Sequence, residues 1–131
     1  MQLKLLAAAL QFLLKLKYLH WGTEVTSVTL VGFVSVVDHK SVTFQDSTGS
    51  ISCQAKSLDL FPSTLLSSAT LPILVKLTGL PKFQHDTPVF VFSDFEVVKT
   101  LNAELSHFFE ARIPTLELQE QYKLAKSKGR I

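Results

Sequence analysis

Residues 25–37, VTSVTLVGFVSVV, constrain the fold more than any other stretch of the chain. β-Branched residues fill this run, Val28, Leu30, Val34 and Val36 fall on one face, and Gly32 stands between them. The pattern is that of one long strand. A glycine inside it marks a bulge or sharp bend, which a strand needs when it curls around a small closed sheet.

The following residues extend this reading. A tight turn at Asp38-His39-Lys40 leads into SVTFQ, where Val42 and Phe44 alternate with polar neighbours. Asp46-Ser47-Thr48-Gly49 is the next turn, with side chains that bond back to the backbone and a glycine open to positive φ. SISCQA resumes the sheet with Ile51, Cys53 and Ala55 inward. Residues 56–70 form a less regular connector with a helical turn around 64–68. PILVKLTGL, 72–80, is a fourth strand with Ile73, Val75 and Leu77 inward, and after the loop PKFQHDTP the run VFVFSDFEVV is the fifth.

Helices flank the strands. Residues 3–19, LKLLAAALQFLLKLKYL, lack glycine, proline and β-branched residues, which predicts a helix. Lys4, Gln11 and Lys15 line one narrow face, so the helix is expected to pack on its own domain and against another chain. At the other end, Thr100 is placed to cap a helix over 100–112, with Leu101, Leu105, Phe108 and Phe109 at spacings of three and four. Pro114 is expected to end it, and TLELQEQYKLAKSKG forms a second, more polar helix that frays into a basic tail. The domains read as an apolar helix at 1–21, a barrel at 22–99, and helices with a basic tail at 100–131. Five strands with a bent first strand and a connector between the third and fourth predict an all-β fold with flanking helices: a five-stranded OB-fold Greek-key barrel.

At 131 residues the chain is one domain by length, yet 47% of it is hydrophobic and 18% charged. That leaves more apolar surface than one core hides, which points to a partner. The net charge of +2 is unevenly distributed. Residues 1–21 carry Lys4, Lys15 and Lys17 without an acid, residues 22–111 carry five lysines against nine acids, and residues 112–131 carry five cations against two acids. An acidic centre is poorly suited to tracking phosphates, because counterion release needs clustered cations. The apolar N-terminus has no small-residue cleavage site after it and is too short to span a membrane. Cys53 is the single cysteine, which excludes an intrachain disulfide and suits a reducing compartment.

Three motifs together resemble a group of OB-fold genome-maintenance subunits: VTLVGFVSVV with its glycine, FQDSTGSISC as the hairpin, and ILVKLTGL with Gly79 near its end. They are similar to the strand, D-x-T-G-x-I-x-C turn and V-x-G strand of the replication protein A middle subunit and its telomere-capping relatives in the CST complex. The length, the leucine-rich N-terminal helix before a lone barrel and the C-terminal helix after it also resemble the small OB subunit of the RecQ helicase and topoisomerase dissolution complex, the RMI family. The similarity covers about residues 25–110. Ser47 departs from it, since an acidic residue is common there, and the long tails or winged helix of some relatives are missing.

The resemblance implies a non-catalytic subunit, nuclear, that binds and stabilises a larger OB-fold partner in a DNA replication, repair or telomere complex. Leu6, Leu10, Leu13, Leu14, Leu105, Phe108 and Phe109 are the expected partner surface. The alternative is direct binding of single-stranded DNA, for which Phe33, Phe83, Phe90 and Phe92 offer stacking rings and Lys40, Lys56, Lys76 and Lys82 offer cations. Strand alternation allows either Phe90 and Phe92 or Val89 and Val91 to face outward. A secreted or membrane-associated small β protein is a further alternative, requiring removal of the N-terminal helix or its burial in lipid. His20, His39, His85 and His107 lie apart without metal-ligand spacing, and no phosphate-binding glycine loop is present. No enzyme, cofactor, metal or small-molecule substrate is therefore expected.

Overall fold

The computed structural model describes residues 1–36, 41–57 and 73–130. The turn at 38–40, with Lys40, and the helical turn at 64–68 lie outside the described residues.

Strands β1 (Gln2–Lys4), β2 (Leu19–His20) and β3 (Thr23–Glu24) precede five long ones: β4 (Ser27–Val36), β5 (Ser41–Asp46), β6 (Gly49–Ala55), β7 (Ile73–Gln84) and β8 (Thr87–Val97). The helices are α1 (Leu10–Lys15), preceded by a 3₁₀ turn at Ala7–Ala9, and α2 (Leu101–Ser127). The main sheet runs β1-β4-β5-β6-β8-β7, and β7 returns to pair with β4, which closes the barrel. β6 and β8 are parallel and the other barrel pairs antiparallel. This is the expected five-stranded Greek-key barrel.

Two glycines permit the closure. Gly32 lies where β4 leans onto β5, and a Cβ there would come within 2.5 Å of the Gln45 carbonyl oxygen and 2.6 Å of the Phe44 ring. Gly79 lies at a register shift between β7 and β8, and a Cβ there would come within 2.0 Å of the Val91 carbonyl oxygen. Both are close-approach glycines in bent strands.

Three expectations are corrected. Residues 3–19 are not one helix: β1 pairs in parallel with residues 27–29 of β4, and Leu5 N–H continues to the Thr29 carbonyl. Burial of Leu3 and Leu5 on one side of an extended segment overrides the helix propensity of leucine. Gln11 and Lys15 nonetheless face solvent. The loop expected between the fourth and fifth strands is strand to its ends, turning only at His85 and Asp86 with φ of +53° and +66°. Positive φ at both central residues is what a two-residue hairpin matched to sheet twist requires.

Finally, the two C-terminal helices are one, with Pro114 inside α2. The proline removes a single backbone donor. Ala111 and Leu118, on either side of it, are fully buried, and Thr115 Oγ1 accepts the Leu6 N–H at 3.2 Å, so packing carries the helix through. Thr100 is the N-cap residue as expected, without a side-chain cap bond.

One core joins all of this: Leu3, Leu10 and Leu13 from the N-terminal segment, Val28, Phe44, Val75, Phe90 and Phe92 from the barrel, and Leu118 from α2.

Candidate functional site

The barrel face formed by β4, β5 and β6 is where OB-folds hold oligonucleotides. Register places Ser41 opposite Gln54, Thr43 opposite Ser52 and Gln45 opposite Ser50, with Phe33 and Ser35 of β4 beside Gln45 and Thr43. Hydroxyls and amides dominate this surface. It can donate and accept hydrogen bonds, but the described residues of β4, β5 and β6 include no cation to displace counterions from a phosphate chain.

Of the eight residues expected to grip a single strand, Lys40 lies outside the described residues, and the other seven do not form one cluster. Phe90 and Phe92 are fully buried, which settles the alternation with both rings inward and corrects their assignment as stacking platforms. A barrel this small fills its interior with large side chains from each strand. Phe33 and Phe83 are exposed at separate places, Phe33 beside Gln45 and Phe83 near the tip of the β7–β8 hairpin. Lys76 sits opposite Glu96 in register. Lys56 and Lys82 do meet, in a cleft of about 240 Å³ with Thr26, Ser27 and Ser93.

The expected partner residues divide in two. Leu6, Leu10, Leu13 and Leu14 are buried in this chain's own core, which corrects their assignment to an intermolecular surface. The N-terminal segment packs against β6, β7, β8 and α2, and these contacts absorb the leucines. On α2, Phe108 turns half inward, while Leu105 and Phe109 stand out from the surface. Because the helix runs through Pro114, Ile113 and Leu116 continue the same face at spacings of four, four and three. These four side chains are between 53% and 65% exposed, whereas His107, Ala111 and Leu118 on the opposite face are buried. Ile113 and Leu116 fall outside the expected surface because a proline at 114 reads as a helix stop. Their spacing from Phe109 was the available signal.

α2 is held to the N-terminal segment by polar contacts. His107 donates Nε2–H to the Leu5 carbonyl at 3.0 Å. Burial holds its pKa below the ordinary histidine value, with the Leu5 bond and the Asp46 and Glu110 charges opposing and Lys4 reinforcing. Lys4 pairs with Glu110, and this hydrogen bond lowers the carboxyl pKa. His20 is buried with its Nε2 2.9 Å from Glu117 Oε2, off the alignment of a hydrogen bond. Burial pushes the Cys53 thiol up, consistent with a packing role. Among the described residues no three His, Cys, Asp or Glu side chains cluster as metal ligands.

No protein-family description matches the chain, and no curated protein matches it in sequence. Solved structures do match. A crystal structure of yeast Stn1 and Ten1 superposes with a TM-score of 0.63 at 21% identity, covering 91% of this chain and 75% of that one. The S. pombe Stn1–Ten1 complex gives 0.60 at 14% identity, over 78% of this chain and 79% of that one. The fold is an OB-fold. A chain of a replication protein A heterotrimer bound to single-stranded DNA also matches, with a TM-score of 0.53 at 18% identity over 74% and 77% of the two chains. These are the CST and replication protein A similarities drawn from the three motifs. The RMI similarity has no counterpart among these three.

Proposed function

We propose that the chain is a non-catalytic, nuclear OB-fold subunit of a DNA replication, repair or telomere-maintenance complex, and that it binds and stabilises a larger OB-fold partner through the outward face of α2. The observation that carries this reading is the stripe of Leu105, Phe109, Ile113 and Leu116, four large apolar side chains more than half exposed along one helix. A helix face of this kind is a ready interface centre, since buried aromatic and aliphatic anchors supply most association energy. The similar structures named above are two Stn1–Ten1 assemblies and a heterotrimer, which supports an OB-fold protein as the occupant. The lack of a cation among the described residues of β4, β5 and β6 argues against the barrel as the main source of DNA affinity.

The test is co-purification of the tagged chain from its native cells, beside the double variant Phe109→Asp/Ile113→Asp. Recovery of one larger OB-fold protein in fixed ratio with the wild type, and its loss with the variant, is expected. Equal recovery with both chains would remove α2 from the interface. None of the described helices is long and apolar enough to cross a membrane.

A further inference from the structure

The basic charge that the sequence places at its two ends is brought together by the fold. Lys15 at the end of α1 and Lys17 just after it line one side of a groove of about 390 Å³, Lys128 and Arg130 line the other, and Trp21 and Leu124 lie along it. No Asp or Glu is among the lining residues. Trp21 is the chain's single tryptophan and is 53% exposed.

The loop that presents it is strained and firmly tied. Lys17, Tyr18 and Trp21 have φ of +58°, +63° and +49°, all left-handed for non-glycine residues. Such conformations persist only where the surroundings impose them, and they concentrate at binding sites. Here the Gln121 side-chain oxygen of α2 accepts the Trp21 backbone N–H at 2.8 Å, and the Tyr18 hydroxyl donates to the Pro81 carbonyl at 2.5 Å. The backbone that carries the indole is therefore anchored on both sides.

We infer that this groove is a binding site for single-stranded nucleic acid, with Lys15, Lys17, Lys128 and Arg130 on the phosphates and a base stacked on Trp21. Cations at the ends of α1 and α2 also offset the helix dipoles, which accounts for their positions but not for a half-exposed indole among them. A stacking ring beside clustered cations is the pairing that single-strand binders use. Among the described residues, it is also the pairing that the β4–β6 face lacks. The site lies at the end of α2 and does not rest on the partner reading.

Trp21 reports on its own site, because a stacked base quenches its fluorescence. Titrating the full chain with an oligodeoxythymidine of about 16 nucleotides should quench the emission, with a slope of log affinity against log salt near −3 for about four phosphates. Lys15→Glu/Lys17→Glu should weaken binding about tenfold or more and flatten that slope. Trp21→Ala, followed by anisotropy of labelled oligonucleotide, should also cost about tenfold. Lys76→Ala, on the barrel, and Phe109→Asp/Ile113→Asp, on the partner face, should leave binding unchanged. Absence of quenching at low salt would overturn the assignment, as would binding that falls with Lys76→Ala but not with the groove variants. Equal quenching by polyglutamate would assign the groove to an acidic protein instead and equally overturn it.

Discussion

The Asp46 carboxylate accepts the Ala7 N–H at 2.8 Å across 39 residues of chain. Its other oxygen accepts the Thr48 N–H at 2.8 Å, and Thr48 Oγ1 accepts the Ala8 N–H at 3.1 Å. The Asp-Ser-Thr-Gly turn is thus a clasp on the amino end of the 3₁₀ turn, whose first N–H groups have no partner within the helix. Its role is to fix the N-terminal segment to the β5–β6 hairpin.

Replacing the clasp should be felt in stability. Asp46→Ala is expected to lower the unfolding free energy by about 1–2 kcal/mol. Asp46→Asn, which keeps an acceptor oxygen, should lose less. Urea unfolding midpoints give the comparison, and an unchanged midpoint for Asp46→Ala would contradict the clasp.

Gly79→Ala should be costlier than an ordinary strand substitution. The new Cβ would meet the Val91 carbonyl oxygen at 2.0 Å and the Phe92 Cα at 2.6 Å, both backbone atoms that no side-chain rotation can move aside. Overpacking of this kind costs about 1–3 kcal/mol or more. A thermal midpoint within a degree or so of wild type would show that the β7–β8 register shift is not locked by this approach.

His107 makes stability depend on pH. Its folded pKa lies below the ordinary value of about 6.5, so the unfolded chain binds more protons in the window beneath that value. The stabilisation from the neutral ring is complete above about pH 6.5 and declines as pH falls through the folded pKa. His107→Gln, which retains an N–H donor for Leu5, should flatten the slope of unfolding free energy with pH below neutrality. Parallel slopes for variant and wild type would contradict it.

The two leucine-rich surfaces should respond oppositely to substitution. Leu13→Ala removes a fully buried side chain and should cost about 2–5 kcal/mol. Ile113→Ala removes one that is 64% exposed and should leave the unfolding midpoint of the isolated chain close to wild type. Chemical denaturation of both variants decides this, and equal destabilisation would mean that the α2 stripe is covered within the chain itself.

Much of the barrel was legible because it depends on local signals. The alternation of Val42 with Phe44 and of Ile51 with Cys53 gives the inward faces directly, and Gly32 marks the bend. Local signals mislead where long-range packing outweighs local preference. Leu3 and Leu5 read as helix but are extended because β4 offers an edge to pair with. Pro114 reads as a stop, but Ala111 and Leu118 anchor the helix on both sides of it. The sites depended more on three-dimensional arrangement. Phe90 and Phe92 could have faced either way until the barrel closed around them. The meeting of Lys15 and Lys17 with Lys128 and Arg130 joins residues from opposite ends of the chain, and no local pattern announces it.

Photocrosslinking in native cells tests the central claim most directly, with a photoreactive amino acid placed at Ile113 of α2 and, in parallel, at Thr43 on the outer face of β5. The account predicts a single adduct to a larger OB-fold protein from position 113 and none from position 43. An adduct from position 43 with none from 113 would contradict it, and would place the partner on the barrel face instead.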